Sequence, residues 1–480
     1  MPLNIIIVLV IFTLIRFGLS LLFPLTADES YYWLWSKHLS LSYVDHPPMV
    51  AYLNFLMTFG RENIVLLRLG TVAVTLLTSL LIYCLAKKNF DEKIAFWSAV
   101  LFQILPHFAV VWLTMFVELP LVLFWAVSLL ILAGIFQMRN AELRMRNSAL
   151  HIPHSTLWYL LGVTVGLGCL SKYTMFLFWP CLAIFFLISK ENRFWLKQKE
   201  PYLCFLLSAV CFLPVIVWNS RHAWVSFTFH SAKASADAWG VNVLPFVGDQ
   251  LVHFTPFLLF ALYNVYRWSL KKDEGTKLLF SFSAPVLVLF FLLSAKVKIW
   301  AHWPEIGYIG ALPLTVAYLA GNGKSLKKFM TWIAIFSGLV LAILLFVSPG
   351  VLLHQANYKQ NYRLAEKLPP EYKIFAKTNV SSSLLEFYTK RPTYLSTGFL
   401  MSGQPWGRKQ YELWGIPELK KGETVLYYGE DNSFFRDRAG KYFDKITELP
   451  DVKLYLVEDY ITNNYKMFKL EGYKEESFHP

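Results

Sequence analysis

Apolar runs long enough to cross a bilayer dominate the first 349 residues, and they restrict what the rest of the chain can be. A crossing helix needs about 20 such residues, with a range of roughly 17–25. Runs of this kind lie near Pro2–Phe23, Ile64–Ala86, Ile94–Pro106, Leu119–Gln137, Leu157–Leu170, Tyr173–Ser189 and Tyr202–Trp218. Others lie near Asp249–Tyr266, Leu278–Ala295, Pro304–Ala320 and Phe329–Val347. The pattern predicts a polytopic α-helical membrane protein with about eleven spans. The first run is too long, and too poorly punctuated, for a cleaved leader, and reads as a signal anchor.

Charge separates this part from the tail. Of the charged residues, 36 fall in the last 131 positions and only 41 in the first 349. The front therefore lacks the polar surface of a soluble domain, whereas the tail has an ordinary globular composition. Two divisions are expected: a membrane domain over 1–348, with a first outer loop at 24–63, and a small α/β domain over 349–480. In the tail, Tyr372–Thr378, Thr393–Ser396, Thr424–Tyr428 and Lys453–Val457 read as strands. Arg363–Leu368, Ser382–Thr389 and Asp459–Tyr465 read as helices. A domain of about 120 residues can hold its own core.

The net charge of +13 could point to nucleic acid, but its placement says otherwise. One set of alternating loops holds 17 basic residues against seven acids, from Lys87 and Lys88 through Lys327 and Lys328. By the positive-inside rule that side is cytoplasmic, so the N-terminus is inside and, with an odd count, the tail is outside. Most of the excess charge is thus a topology signal, and no nucleic-acid partner is expected. The five cysteines all lie in or beside spans, where they pack as small apolar residues rather than form disulfides.

The outside loops hold the chemistry. Asp28 and Glu29 follow the first span, and Asp45 and His46 are held by Pro47 and Pro48. Tyr31, Tyr32, Trp33 and Trp35 suit a helix at the interface, and an aromatic belt with solvated acids is the plain alternative. Glu118 borders the fourth span, where an ionisable group is costly; it is either functional or the partner of an arginine such as Arg68. Lys172, Lys296 and Lys298 lie on the side that the topology rule depletes of lysine, which points to an anionic ligand such as a phosphate or to headgroup contact. Arg221 and His222 share another outside loop with Asn219 and Trp224. Asp45 and His222 are candidate ligands for a divalent ion, and no other cofactor is expected. No Walker A, GxGxxG or HExxH pattern occurs, and no internal repeat of the transporter kind is evident. In the tail, Gly403 to Trp406 and Gln410 to Trp414 read as surface loops rather than as a rim over the membrane site.

Several of these stretches strongly resemble a family. The run from Asp28 to Trp35, followed by Tyr43, Val44, Asp45, His46, Pro47, Pro48 and Met49, resembles the first outer loop of bacterial GT-C glycosyltransferases. The branch is that of the protein mannosyltransferases and the aminoarabinose transferases of lipid A. The resemblance extends through Glu118 to Leu121, Gly168 to Thr174, Trp218 to Phe227, His302 to Pro304 and Leu385 to Pro392. It implies an enzyme of the bacterial inner membrane that moves a sugar, with inversion, from a polyprenyl-phosphate donor to lipid A, another glycan or a protein. Asp28 matches the acidic residue of the family's first loop and Glu29 is its neighbour, so these are the implied catalytic positions. Asp45, His46, Glu118, Lys172, Tyr173, Arg221, Lys296, Lys298 and His302 are the implied donor and substrate positions. One departure is visible: Asp45 and His46 stand where aminoarabinose transferases have a Glu-Lys pair. A transporter or lipid flippase is the competing expectation, since the same ionisable groups would line a path.

Overall fold

The computed structural model describes residues 2–23, 25–144, 154–233, 240–323, 325–347, 363–396, 400, 407–450 and 465–474. The expected strand Lys453–Val457, all but the last residue of the expected helix Asp459–Tyr465, and the stretch Gly403 to Trp406 lie outside them. The described residues divide into two units, residues 1–18, 46–50 and 69–341 forming the first, and residues 19–45, 51–68 and 342–480 the second.

The first unit is helical throughout its regular structure. Counting both units, six described helices are long and apolar enough to span a membrane: Leu3–Leu22, Ile64–Asn89, Glu118–Met138, Glu200–Arg221, Glu274–Leu293 and Leu326–Phe346. Two more apolar segments are broken. Glu92–Ile104 meets Pro106–Leu113 at 64°, and Val243–Phe254 meets Pro256–Ser269 at 98°. In both cases a proline starts the second half, which removes a backbone donor and drives the preceding residue out of the helical region. Leu105 accordingly sits at φ −63°, ψ 135°, and Thr255 at φ 65°, ψ 144°. The three remaining apolar runs are shorter helices, Ser155–Cys169, Tyr173–Ile188 and Glu305–Gly321. The protein is a multi-pass membrane protein, and length alone gives six spans among the described residues, or eight with each broken pair counted as one.

Close helix contact depends on small residues. On the His154–Cys169 helix, a Cβ at Gly162 would lie 2.7 Å from the Cys204 carbonyl oxygen, and one at Gly166 would overlap the Cys211 Cβ. This four-residue glycine spacing lets the helix approach Glu200–Arg221 as small-residue pairs do in membranes. Gly168 has a local role, because a Cβ there would meet the Met175 side chain at 2.7 Å. Its carbonyl accepts the backbone N–H groups of Ser171 and Lys172 at 2.9 and 3.1 Å, closing the helix just before Lys172.

The second unit contains a five-stranded sheet in the order β2-β1-β3-β5-β4. Its strands are β1 (Lys373–Ala376), β2 (Thr393–Leu395), β3 (Val425–Glu430), β4 (Phe443–Glu448) and β5 (Tyr465–Tyr473). β1 pairs in parallel with β2 and β3, while β5 runs antiparallel to β3 and β4. Phe375, Val425, Tyr427, Phe435, Phe468 and Leu470 form its buried core. Three expected strands are present with small end shifts. Tyr465, expected to close a helix, begins β5 instead. Its segment pairs antiparallel with both β3 and β4, with Met467, Phe468 and Leu470 buried. Gln410 to Trp414, expected as a surface loop, lies in the helix Arg408–Trp414, with Gln410 and Tyr411 buried.

Candidate active site

The first-loop carboxylates belong to the second unit, and each is placed by local chemistry. Thr26 caps the Ala27–Lys37 helix: its hydroxyl accepts the Glu29 N–H, and the Glu29 side chain accepts the Thr26 N–H, both at 3.4 Å. This reciprocal cap fixes the entry of the helix, and two acids in its first turn suit the positive end of the dipole. Glu29 is fully buried and pairs with the equally buried Arg68 at 3.0 Å. Asp28 lies one position earlier and is half-buried. Asp45 is buried and accepts the Tyr31 hydroxyl at 3.0 Å. Burial first, then the Asp45 charge, raise the Tyr31 phenol well above its usual range, so it stays a donor.

The same helix packs against Asn379–Thr389. Ser30 and Ser383 hydroxyls are 2.8 Å apart, Trp33 meets Phe387 edge to face at 4.9 Å, and Lys37 pairs with Glu386 at 2.9 Å. Burial works against the Lys37 charge, but the Glu386 and Glu62 carboxylates prevail and raise its pKa. Glu386 also accepts the Thr393 N–H at 3.1 Å. Tyr31 stacks on Tyr411 at 6.3 Å, and the Val44 N–H donates to Gln410 at 2.9 Å. The Leu385 to Pro392 stretch singled out in the sequence is thus a support for the first loop.

A second cluster lies in the first unit. Glu118 stands at the N-terminus of its long apolar helix and pairs with Lys172, both nearly fully buried. The Nε2 of His302 is 3.2 Å from the same carboxylate oxygen. The Lys172 ammonium also lies 5.5 Å from the Trp303 ring centre, so an aromatic face and a carboxylate hold it together. Burial lowers the His302 imidazole to about 4; Glu118 opposes the shift and Lys172 adds to it. A neutral His302 donates one N–H to Glu118. His46 acts on Glu118 electrostatically, and its ring lies 6.1 Å from His230, which in turn meets the Tyr173 ring at 5.5 Å.

Of the residues expected in the site, Glu118, Lys172 and His302 meet directly, with His46 and Tyr173 linked to them through electrostatics and the His230 ring. The expected alternative partner of Glu118, Arg68, pairs with Glu29 instead. Lys296 and Lys298 are exposed, and Lys298 sits 4.2 Å from the Trp300 ring centre. Arg221 is exposed at the end of its helix. His222 stacks on Trp218 at 4.2 Å and places Nδ1 2.7 Å from that residue's carbonyl. Among the described residues no group of three or more His, Cys, Asp or Glu side chains is placed to hold a metal ion. Sequence reasoning passed over Glu305, His107 and His253, which form a line beside this cluster, buried at Glu305 and His107. The signal was present for one of them: Glu305 follows His302 by one helical turn, at the border of an apolar run.

Residues 45–218 match the family described as dolichyl-phosphate-mannose-protein mannosyltransferase. The lipid A galacturonosyltransferase RgtD of Rhizobium johnstonii is 28% identical over 296 residues, 60% of this chain and 59% of that protein. The chain therefore matches less than two thirds of that relative. Crystal structures of ArnT from Cupriavidus metallidurans share the fold: the apo form has a TM-score of 0.65 at 13% identity, covering 97% of each chain. The form bound to undecaprenyl phosphate has a TM-score of 0.66 at 12% identity, covering 98% of each. An oligosaccharyltransferase from Archaeoglobus fulgidus is a more distant likeness, with a TM-score of 0.51 at 14% identity over 81% of this chain and 64% of that one. The family match over residues 45–218, the partial likeness to RgtD and the shared ArnT fold make the chain similar to GT-C membrane glycosyltransferases of the lipid A transferase-like branch.

Proposed function

We propose that this protein moves a sugar, with inversion, from a polyprenyl-phosphate donor to an envelope acceptor at the outer face of a bacterial inner membrane. The observation that carries the reading is the buried Lys172, held by Glu118 and Trp303 beside His302. A structure of the same fold holds undecaprenyl phosphate, which supports a lipid phosphate as the ligand of such a group. A relative named for lipid A galacturonosyl transfer favours lipid A among the acceptors over protein or another glycan. The reading includes eleven crossings, a cytoplasmic N-terminus and a tail domain outside, as the loop charges require.

In this mechanism Asp28 takes the proton of the incoming hydroxyl, because unlike the buried Glu29 and Asp45 it keeps partial exposure. Glu29 holds the loop through Arg68. The leaving phosphate gains charge as its bond to the sugar breaks, and Lys172, held in place by Glu118 beside His302, offsets it. Lys296, Lys298 and Arg221 are exposed cations that suit lipid headgroups or an anionic acceptor. Replacing Asp28 with Asn in a correctly inserted protein should abolish transfer, and near-normal turnover would remove Asp28 from the chemistry. Mass spectrometry of lipid A and envelope glycans, with and without the gene, identifies sugar and acceptor together. The two broken helices are the feature that a transporter or flippase would share. Unchanged glycans with accumulation of a transported solute would favour that reading.

A further inference from the structure

Each of the two helix breaks delivers a histidine to one line that ends on a buried carboxylate. His107 follows Pro106 just past the first break, and His253 precedes Thr255 at the second. Glu305 comes from the turn that also carries His302: the Glu305 N–H donates to the His302 carbonyl at 3.2 Å. From that turn His302 reaches Glu118 and Glu305 reaches His107. The His107 Nε2 is 2.6 Å from Glu305 Oε2, and its Nδ1 is 3.0 Å from His253 Nδ1. Trp112 donates to the same Oε2 at 3.3 Å, while Glu305 Oε1 is buried with no hydrogen-bond partner among the described residues. Phe254 stacks on His107 at 4.8 Å and on Tyr308 at 3.5 Å, closing one side. Glu305 and His107 are fully buried, and His253 is half-exposed.

Each link in this line needs one proton and one lone pair, and with His107 neutral two arrangements satisfy both links. In one, Glu305 is a carboxyl that donates to His107 Nε2, and His107 donates from Nδ1 to His253. In the other, Glu305 is a carboxylate that accepts from His107 Nε2, and His107 accepts from His253 at Nδ1. Moving both link protons the same way interconverts them, and one proton then enters or leaves at His253 Nε2, the half-exposed end. A buried carboxylate with a bare oxygen is costly, which gives the line a reason to hold that proton.

We infer that Glu305, His107 and His253 form a proton-exchanging line that adjusts the charge behind Lys172 and His302 as an anionic phosphate arrives and leaves. The inference rests on the reading of Lys172 and His302 as phosphate-side groups. Glu118 and Lys172 act electrostatically on Glu305, and His107 and His253 on His302. The other ionisable groups facing the line are Asp249 on the His253 helix and Tyr308, whose hydroxyl donates to Gln250 at 2.9 Å; His46 acts on Glu118. In transfer the sugar–phosphate C–O bond breaks, the acceptor oxygen bonds the anomeric carbon, and the hydroxyl proton passes to the carboxylate base. The phosphodiester becomes a monoester with a second titratable oxygen. One proton entering at His253 and held at Glu305 offsets that added charge. These three are positioning residues and need not touch the substrate.

The test is calorimetric binding of undecaprenyl phosphate to the full chain in lipid nanodiscs, at one pH in buffers of different ionisation enthalpy, which counts protons taken up. The wild type should take up more than Glu305→Gln by about half to one proton per phosphate. His253→Gln, a change at the half-exposed end, should lose the same increment while unfolding within a few degrees of the wild type. Binding with equal uptake in all three proteins overturns the inference and leaves the phosphate reading in place. A wild type that fails to bind undecaprenyl phosphate overturns both.

Discussion

Glu29 and Arg68 show how a single side chain can change its meaning between sequence and structure. Both are fully removed from solvent and lie 3.0 Å apart, with Glu29 also closing the cap at Thr26. A charge buried this deeply is tolerated because its partner is present, and removing one member leaves the other uncompensated. Glu29→Gln or Arg68→Met should each lower stability by about 3–5 kcal/mol, with the double replacement less damaging than the sum. Thermal unfolding of the detergent-solubilised protein by size-exclusion chromatography measures this. A Glu29→Gln protein with normal unfolding and no transfer would return Glu29 to the chemistry. The sequence marked both residues as unusual, because an acid-poor outer loop and an arginine in an apolar run are each costly. It could not pair them: the 38 residues between Glu29 and Arg68 bring no periodicity that links them. Glu118 was equally plausible for Arg68 by cost alone, and only packing assigns it to Lys172.

Elements were readable wherever a local rule sets them. Apolar length marked the spans, and all eleven runs coincide with helices in the structure, straight, broken or short. Pro106 and Pro256 carry the breaks, yet how far each helix turns, 64° in one case and 98° in the other, depends on what the second half packs against. The strand β5 was missed because most of the segment expected as a helix lies before it, and its own alternation is broken by Lys466 and Lys469. The glycines on His154–Cys169 test the packing claim directly. Gly166→Leu would place a branched side chain where even a Cβ would overlap the Cys211 Cβ and lie 3.0 Å from its Sγ. The helices must separate, at a cost of about 1–3 kcal/mol. Gly338→Leu is the control, since no atom lies within 4 Å of the point a Cβ would occupy there and the apolar side chain faces open space. Equal unfolding temperatures for the two variants would remove the glycine contact from the account of this helix pair.

At the scale of the molecule, the first loop and the tail have to be treated as one folding unit, because their shared helix pair has no spare polar face. The expected helix Ser382–Thr389 extends back to Asn379 and carries the polar residues Ser381, Ser382, Ser383, Glu386 and Thr389. All eleven of its residues are buried. The hydroxyls are satisfied internally: Ser382 donates to the Thr393 carbonyl at 2.8 Å, Thr389 to Leu385 at 2.6 Å, and Ser383 meets Ser30. A short hydroxyl side chain can be buried once its one donor finds a carbonyl. The consequence is a prediction about fragments. A soluble piece spanning 349–480 keeps the aromatic core of the sheet, but loses the cover that Ser30, Trp33 and Lys37 give to Ser383, Phe387 and Glu386. It should bind a hydrophobic dye, unfold with low cooperativity and gain order when a peptide spanning 24–63 is supplied. A fragment that unfolds cooperatively, binds no dye and ignores the peptide would show that the tail is autonomous. The first loop would then owe nothing of its shape to the tail, and the resemblance carried by Leu385 to Pro392 would need another physical cause.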